Sequence, residues 1–468
     1  MATQRKAVVI GTGAGGLTAA AYLAKDGFEV IALEQADRIG GFLAPFALDG
    51  YTFDPGVHYV GQARRDQQLD QTLGPLGIDV ESLFVEMDPE GFDVYRFPGL
   101  EVRMCRGVAR YRDRLVERFP HDRDGLHRLF DIVEHYRELA GRRLLDPASF
   151  RLFDLRMLRH LPSLMRWTRS SFAELLARVV RDARARSILA APDANLGLPP
   201  SRLSASAGIA LLAHYLDGAF YPRAGSGALR DAIVDSATRS GATFRTGADV
   251  AEILVGRSAV KGVRLTSGET LEADVVIAAI DPTITFGQLL PRNAVPSRLR
   301  HKVARTEPSL ATFTIFLGMK RDLREYGLGA FNVWQFPTWD LETVHAPALA
   351  GRIPDEFAWL LSSSTSRDDS GTLAPPGCST LQIQISCPWQ PFAKWASIPP
   401  ERRNDEYRQL RQDVADRLLA DVDRKWPGLV GNVAVARVAT PLANHDHARA
   451  VQGGGHGPAH TVAQMGRG

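Results

Sequence analysis

Short apolar runs bounded by glycine, proline or charge alternate along this chain with longer stretches of helical periodicity, the pattern of an α/β protein. The first run, residues 7–10, reads as a buried parallel strand and meets Gly11-Thr12-Gly13-Ala14-Gly15-Gly16. A helical pattern then continues to about Lys25, and a second strand covers residues 29–33. Residues 46–48 and 51–53 flank Asp49-Gly50, a hairpin signal. Residues 66–212 read mainly helical, with Pro199-Pro200 as a break. A second α/β stretch opens at 220–227, with a helix at 228–238 and a strand at 243–246. A β-meander at 250–255, 259–266 and 270–271 leads into a buried strand at 274–280. Alternating segments at 312–317, 357–362 and 380–386 predict an antiparallel sheet. A helix at 402–424 and a strand near 433–439 follow.

This order predicts a nucleotide domain built in pieces. Its segments are 1–65 and 218–290, with an incomplete C-terminal return at 437–468. The insertions, a helical lid at 66–217 and an antiparallel-sheet domain at 291–436, form the substrate side.

The glycine turn carries the clearest chemistry. Gly11 permits the tight turn, Gly13 lets backbone amides approach a pyrophosphate, and Gly16 lets helix and strand pack closely. The anion then rests on free N–H groups at a helix N-terminus. Glu34 ends the second strand 23 positions after Gly11, where a carboxylate accepts hydrogen bonds from a ribose. No second GxGxxG occurs, which leaves NAD(P)H at most the role of a transient electron donor.

Composition adds boundaries. A net charge of +3 is too small to argue for nucleic-acid binding. No stretch is apolar for long enough to span a bilayer, and the first strand begins too early for a signal peptide. The three cysteines form no CxxC pair, which suits a reducing cytoplasm. Residues 141–187 hold eleven arginines against four acids, interleaved with leucine, phenylalanine, methionine and tryptophan. That segment reads either as a lid helix pair packed on its own domain or as a peripheral contact with the inner face of a membrane. His445, His447, His456 and His460, with Asp446, fit no ordinary metal-ligand spacing, so no metal is expected.

Gln35 to Gly41 extends the fingerprint with the pair Gly40-Gly41, seven residues after Glu34, as in FAD-binding flavoproteins. With the meander beginning at Val250 and the Ala273–Ala279 strand, this stretch resembles the FAD-dependent carotenoid desaturase, carotenoid isomerase and retinol saturase superfamily. Residues 50–61 (GYTFDPGVHYVG), 214–226 (ending AFYPRAGS), Ser366-Arg367-Asp368 and 373–377 (LAPPG) are similar to that superfamily, and most of all to its retinol saturase branch. The resemblance implies a Rossmann-like FAD-binding domain with a parallel sheet, interrupted by a mixed α+β substrate domain with a helical lid. It implies FAD held by Gly11, Gly13, Ala14, Gly15, Gly16, Glu34, Gln35, Gly40, Gly41 and Val250. The implied reaction is saturation, desaturation or isomerisation of carbon–carbon double bonds in a hydrophobic isoprenoid or polyene. Members close with a further strand and a glycine-rich turn toward the flavin, and residues 437–468 match only the approach to it.

His58 is a candidate proton donor or a structural histidine, and Tyr221 and Arg223 either line the flavin or anchor the domain crossover. Trp334, Phe336, Trp339, Trp359, Trp389, Phe392 and Trp395 suit an apolar tunnel or an ordinary core. Two other readings stand beside the first: an amine-oxidase-like flavoprotein, and a non-catalytic remnant.

Overall fold

A computed structural model of the chain describes residues 4–141, 166–257 and 259–465. Its first sheet has four parallel strands in the order Val275–Ala278, Lys6–Ile10, Glu29–Leu33, Thr243–Arg245. Ala7 to Ile10 are all buried, as a parallel strand covered on both faces requires. The helices Ala14–Lys25 and Ser226–Arg239 pack against each other on one face. The meander Val250–Val255, Val260–Leu265, Thr270–Glu272 covers the other through Ile253, Val263 and Leu265.

The second large sheet has seven strands. Ala311–Met319, Ser379–Cys387, Trp359–Ser362 and Asn332–Gln335 pair antiparallel in sequence, and Val433–Ala439 closes one edge. Its two faces differ because side chains alternate. Phe313, Ile315, Leu317, Ile383, Ile385 and Leu361 pack on Val414, Leu418 and Val422 of the helix Asp405–Lys425. The opposite face presents one continuous row: Thr314, Gln384, Leu360, Trp334 and Tyr95. On that face Tyr95, Trp334 and Leu360 pack into the core of the helical region.

One expectation is corrected. The stretch read as mainly helical contains the strands Phe84–Glu86, Asp93–Phe97 and Leu100–Met104. The last two extend the seven-stranded sheet, with Asp93–Arg96 running parallel to Asn332–Gln335. Polar Asp93 and Arg96 interrupt the apolar run, and only their tertiary partners satisfy them as strand residues. The sheet is therefore mixed, and the boundary between lid and sheet domains crosses it.

Of the basic segment, residues 142–165 lie outside the described residues. In the described remainder Trp167, Phe172, Leu175 and Leu176 are buried in the helical core. Among the described residues no helix is long and apolar enough to cross a membrane.

Candidate active site

Lys6–Ile10 delivers the glycine turn to the C-terminal end of the parallel sheet. Gly13 caps the following helix without any side-chain hydrogen bond, which leaves its first N–H groups free for an anion. A methyl group at Gly16 would stand 2.0 Å from the Gly11 carbonyl oxygen, so strand and helix touch there. At Gly13 and Gly15 a methyl would meet nothing within 4 Å, so these faces are open. Gly40, at φ 125°, turns the chain back, and a methyl on Gly41 would lie 3.2 Å from the Gly13 Cα. The second glycine pair thus sits on the first turn.

Gly11, Gly13, Glu34, Gln35, Gly41 and Val250 line one cavity of about 390 Å³. Glu34 is buried, and its carboxylate is aimed by three donors: Thr12 N at 3.1 Å, Thr12 Oγ1 at 2.5 Å and Ala36 N at 3.0 Å. The Gly40 N–H donates to Thr12 Oγ1 at 3.2 Å, tying the two glycine elements together. Free amides, an open glycine face and a fixed carboxylate in one cavity fit a dinucleotide. Ala14 opens the helix beside this cavity, and Gly16 serves packing.

A second, apolar cavity lies against the half-polar face of the large sheet. Trp334, Phe336, Phe357, Trp359 and Leu360 line it, with His58, Asn195, Gln384 and His456 among its polar members, beside Thr312, Gln335, His345 and Ser386. The two cavities share a wall. Residues 306–312 and 454–458 pair at Pro308–Pro458 and Ala311–Gly454. Pro308, Gly454 and Gly457 face the dinucleotide cavity, while Leu310, Thr312 and His456 face the inner one. His58 Nδ1 and Gln384 Oε1 are shut from solvent without a hydrogen-bond partner, two open polar valences in an apolar chamber. Burial first, and the Arg367 charge second, push the His58 pKa down to about 4. At neutral pH His58 is therefore a neutral hydrogen-bonding group and stores no proton.

A buried polar network supports this chamber. Asp93 accepts from Asn332 Nδ2 at 2.8 Å, Trp334 Nε1 at 3.0 Å, Tyr59 OH at 2.8 Å and Tyr95 OH at 3.3 Å. Burial still raises its carboxyl above the usual range, as it does for Asp54. Tyr221 lines neither cavity: its hydroxyl donates to Asp54, which also accepts from Ser226 Oγ at 2.6 Å. Arg223 lies on the surface side, where it donates to Asp369 and to the Ser82 carbonyl. Of the three weak catalytic candidates, only His58 reaches the chamber.

The aromatic set divides in the same way. Trp334, Phe336 and Trp359 line the chamber, Phe392 and Trp395 belong to the core under the long helix, and Trp389 stacks near His445. Trp339 stacks on Phe97 outside the chamber. Among the described residues no three His, Cys, Asp or Glu side chains converge as metal ligands. Sequence reading singled out neither Asn195, Gln384 nor Asp93. Alternation along residues 379–387 places Gln384 on the half-polar face, but nothing local marks it as part of a site.

Residues 14–427 match the family described as flavin containing amine oxidoreductase. The all-trans-retinol 13,14-reductase of Rattus norvegicus is 27% identical over 98% of this chain and 78% of its own length. The lycopene-forming phytoene desaturase of Pseudescherichia vulneris is 26% identical over 94% and 86%. A solved double mutant of putrescine oxidase shares the fold, with a TM-score of 0.63 at 17% identity over 99% of this chain and 90% of that one. The family match runs from the start of the first helix, at residue 14, through the strands that form the chamber. The chain belongs to the flavin-containing amine oxidoreductase family and is an FAD-dependent oxidoreductase.

Proposed function

We propose that the chain adds, removes or rearranges hydrogen at carbon–carbon double bonds of a neutral, hydrophobic isoprenoid or polyene. The observation that carries this reading is the lining of the inner chamber: aromatic and aliphatic side chains, uncharged polar ones between them and no carboxylate. An ammonium substrate would enter without a counter-charge there, at heavy desolvation cost, which disfavours the amine-oxidase reading. An apolar chain loses nothing by entering.

FAD, held along Gly11–Gly16, Glu34, Gln35, Gly40, Gly41 and Val250, would supply the hydride chemistry. The protein's share is orientation and exclusion of water. The chamber holds about 70 Å³ and shares Leu310 and Ala348 with an outer cavity of about 100 Å³. A slender chain entering by Trp389 and Gln390 would thread these two spaces and reach His58 and Gln384. The relatives that act on retinol and phytoene support the same substrate class. Substrates of this kind reside in membranes, and the basic stretch 141–187 is the segment we propose for contact with an anionic bilayer surface from the cytoplasmic side.

The test is direct. Protein purified with FAD is incubated with all-trans-retinol, phytoene or amines, with and without an added reductant for the flavin such as dithionite, and polyene absorbance and peroxide are followed. Loss or gain of conjugation with no response to amines is expected. Peroxide release from amines with unchanged polyenes would overturn the reading.

A further inference from the structure

Among the buried side chains Arg367 stands out. It is only 4% exposed, yet its direct partners are all neutral. Nη1 donates to the His58 carbonyl, and Nη2 donates to Asn332 Oδ1 and, at 2.8 Å, to Ser362 Oγ. The guanidinium carbon lies 5.7 Å from the centre of the Tyr221 ring. Nε has no hydrogen-bond partner at all. A buried cation without a contacting carboxylate is costly, and a fold retains one where its geometry is needed.

That geometry grips one segment at two points. Directly, Arg367 holds the His58 carbonyl. Indirectly, Arg367 holds Asn332, Asn332 donates to Asp93, and Asp93 accepts the Tyr59 hydroxyl at 2.8 Å. Asn195 adds a contact to the Tyr59 hydroxyl at 3.1 Å. His58 and Tyr59 come from the first nucleotide segment, whereas Asn332, Ser362 and Arg367 belong to the large sheet and its following loop. The fork of a guanidinium suits this task because its donors are fixed in one plane.

We propose that Arg367 is a positioning residue, which fixes the His58–Tyr59 backbone so that the His58 imidazole points into the inner chamber. The proposal rests on the chamber being the substrate site. The charged or titratable groups facing His58 are Arg367 and His456, and the neutral Gln384 side chain lies beside it. The Arg367 charge also favours a neutral imidazole, so its removal has a second, electrostatic signature.

Arg367→Met and Arg367→Lys separate the two effects. In both, flavin absorbance is retained, because the cradle of residues 7–41 makes no contact with Arg367. With a polyene substrate, kcat is expected to fall about a hundredfold in Arg367→Met and about tenfold in Arg367→Lys, with KM within about threefold, the scale of a misplaced reacting group. Histidine NMR, which needs no turnover, is expected to show the His58 titration rising by about one unit in Arg367→Met and staying put in Arg367→Lys. If wild-type protein turns over no polyene, the substrate reading fails while the NMR arm still decides the role of Arg367. Unchanged kcat and titration in Arg367→Met would overturn the proposal. So would equal losses in both variants with an unmoved titration. Should Arg367→Met not fold, the Arg367→Lys split between kcat and KM decides alone, and a change confined to KM would refute it.

Discussion

The dinucleotide cavity and the inner chamber touch along one wall, yet they are built by opposite means. The glycine turn, Glu34 and the second glycine pair of the first cavity come from residues 7–41, and the room they leave follows from which side chains are missing. The chamber draws His58, Asn195, Trp334, Gln384 and His456 from across the chain, and its shape follows from which polar groups are satisfied. Steric closeness governs the first region. Hydrogen bonding at a distance governs the second. Each therefore has its own characteristic way of failing, and mutations can tell them apart.

The largest effect belongs to steric closeness. Gly16→Val puts carbon where the Gly11 carbonyl oxygen stands, and no rotamer avoids it. The expected cost is about 4 kcal/mol or more, the range reserved for severe backbone conflict. Thermal unfolding should show loss of the cooperative transition together with loss of bound FAD. Gly13→Ala is the contrast, since its methyl enters open space. It should keep its melting temperature within a few degrees and lose at least about tenfold in FAD affinity, because the methyl fills room needed for close approach to pyrophosphate. Equal melting losses in both variants would erase the distinction between packing glycine and binding glycine.

Next comes the polar network. Asp93→Ala strands the Asn332 amide, the Trp334 indole N–H and two tyrosine hydroxyls in a buried site. A loss of about 3 kcal/mol is expected from urea unfolding, since each orphaned donor carries a desolvation penalty. FAD bound to the folded fraction should be unaffected. A variant that lost FAD at unchanged stability would show that the two regions are not separable in this way.

These two cases also explain what a sequence reveals. The strand, turn, helix and carboxylate of residues 7–34 obey a local spacing rule, and the observed elements Lys6–Ile10, Ala14–Lys25 and Glu29–Leu33 match it closely. The hairpin Phe46–Leu48/Tyr51–Phe53 and the strands Ala311–Met319 and Ser379–Cys387 were legible from alternation for the same reason. Asp93–Phe97 was not, because a buried carboxylate looks like a surface residue until its four donors are in place. Tyr221 attracted attention by its motif, but its hydroxyl is spent on Asp54. Arg367, which sat inside a recognised motif, carried no sign in sequence that its partners would all be neutral.

Acid distinguishes the regions more gently. His58 and His214 have pKa values held down to about 4 by burial, and His214 Nε2 accepts the Gly61 N–H at 2.8 Å. A depressed histidine pKa gives stability that is present above the unfolded value near 6.5 and is lost as pH falls toward 4. Each contributes at most about 2 kcal/mol of loss between pH 7 and pH 5. The raised carboxyls of Asp54 and Asp93 act in the other direction, since they favour the folded state when protonated. His345, His456 and His460, likewise held down by burial, add to the histidine side, and Asp193 adds to the carboxyl side. His214→Gln keeps an acceptor for Gly61 and removes the titration, so its urea midpoint should change less between pH 7 and pH 5. An identical slope in wild type and variant would assign the acid sensitivity elsewhere.

The smallest expected effect lies where the C-terminal segment lines the dinucleotide cavity. Arg449 makes a bidentate pair with Asp249, at 2.9 and 2.7 Å, and ties the C-terminal segment to the residue before Val250. The Arg449 side chain is 47% exposed, so the pair is worth about 0.2–1 kcal/mol to the fold. Its expected consequence is kinetic, because residues 447–451 line the dinucleotide cavity. Arg449→Ala should speed FAD release by about twofold to fivefold at low salt, a difference that fades as added salt screens the exposed pair. Arg449 also occupies a left-handed backbone position, with φ 50°, which glycine tolerates more readily. Arg449→Gly therefore removes the ion pair while relieving the backbone. If release from Arg449→Gly matches that from Arg449→Ala, the ion pair controls the rate. If it returns to the wild-type rate, backbone conformation controls it, and this side of the cavity obeys the same steric rule as the glycine turn.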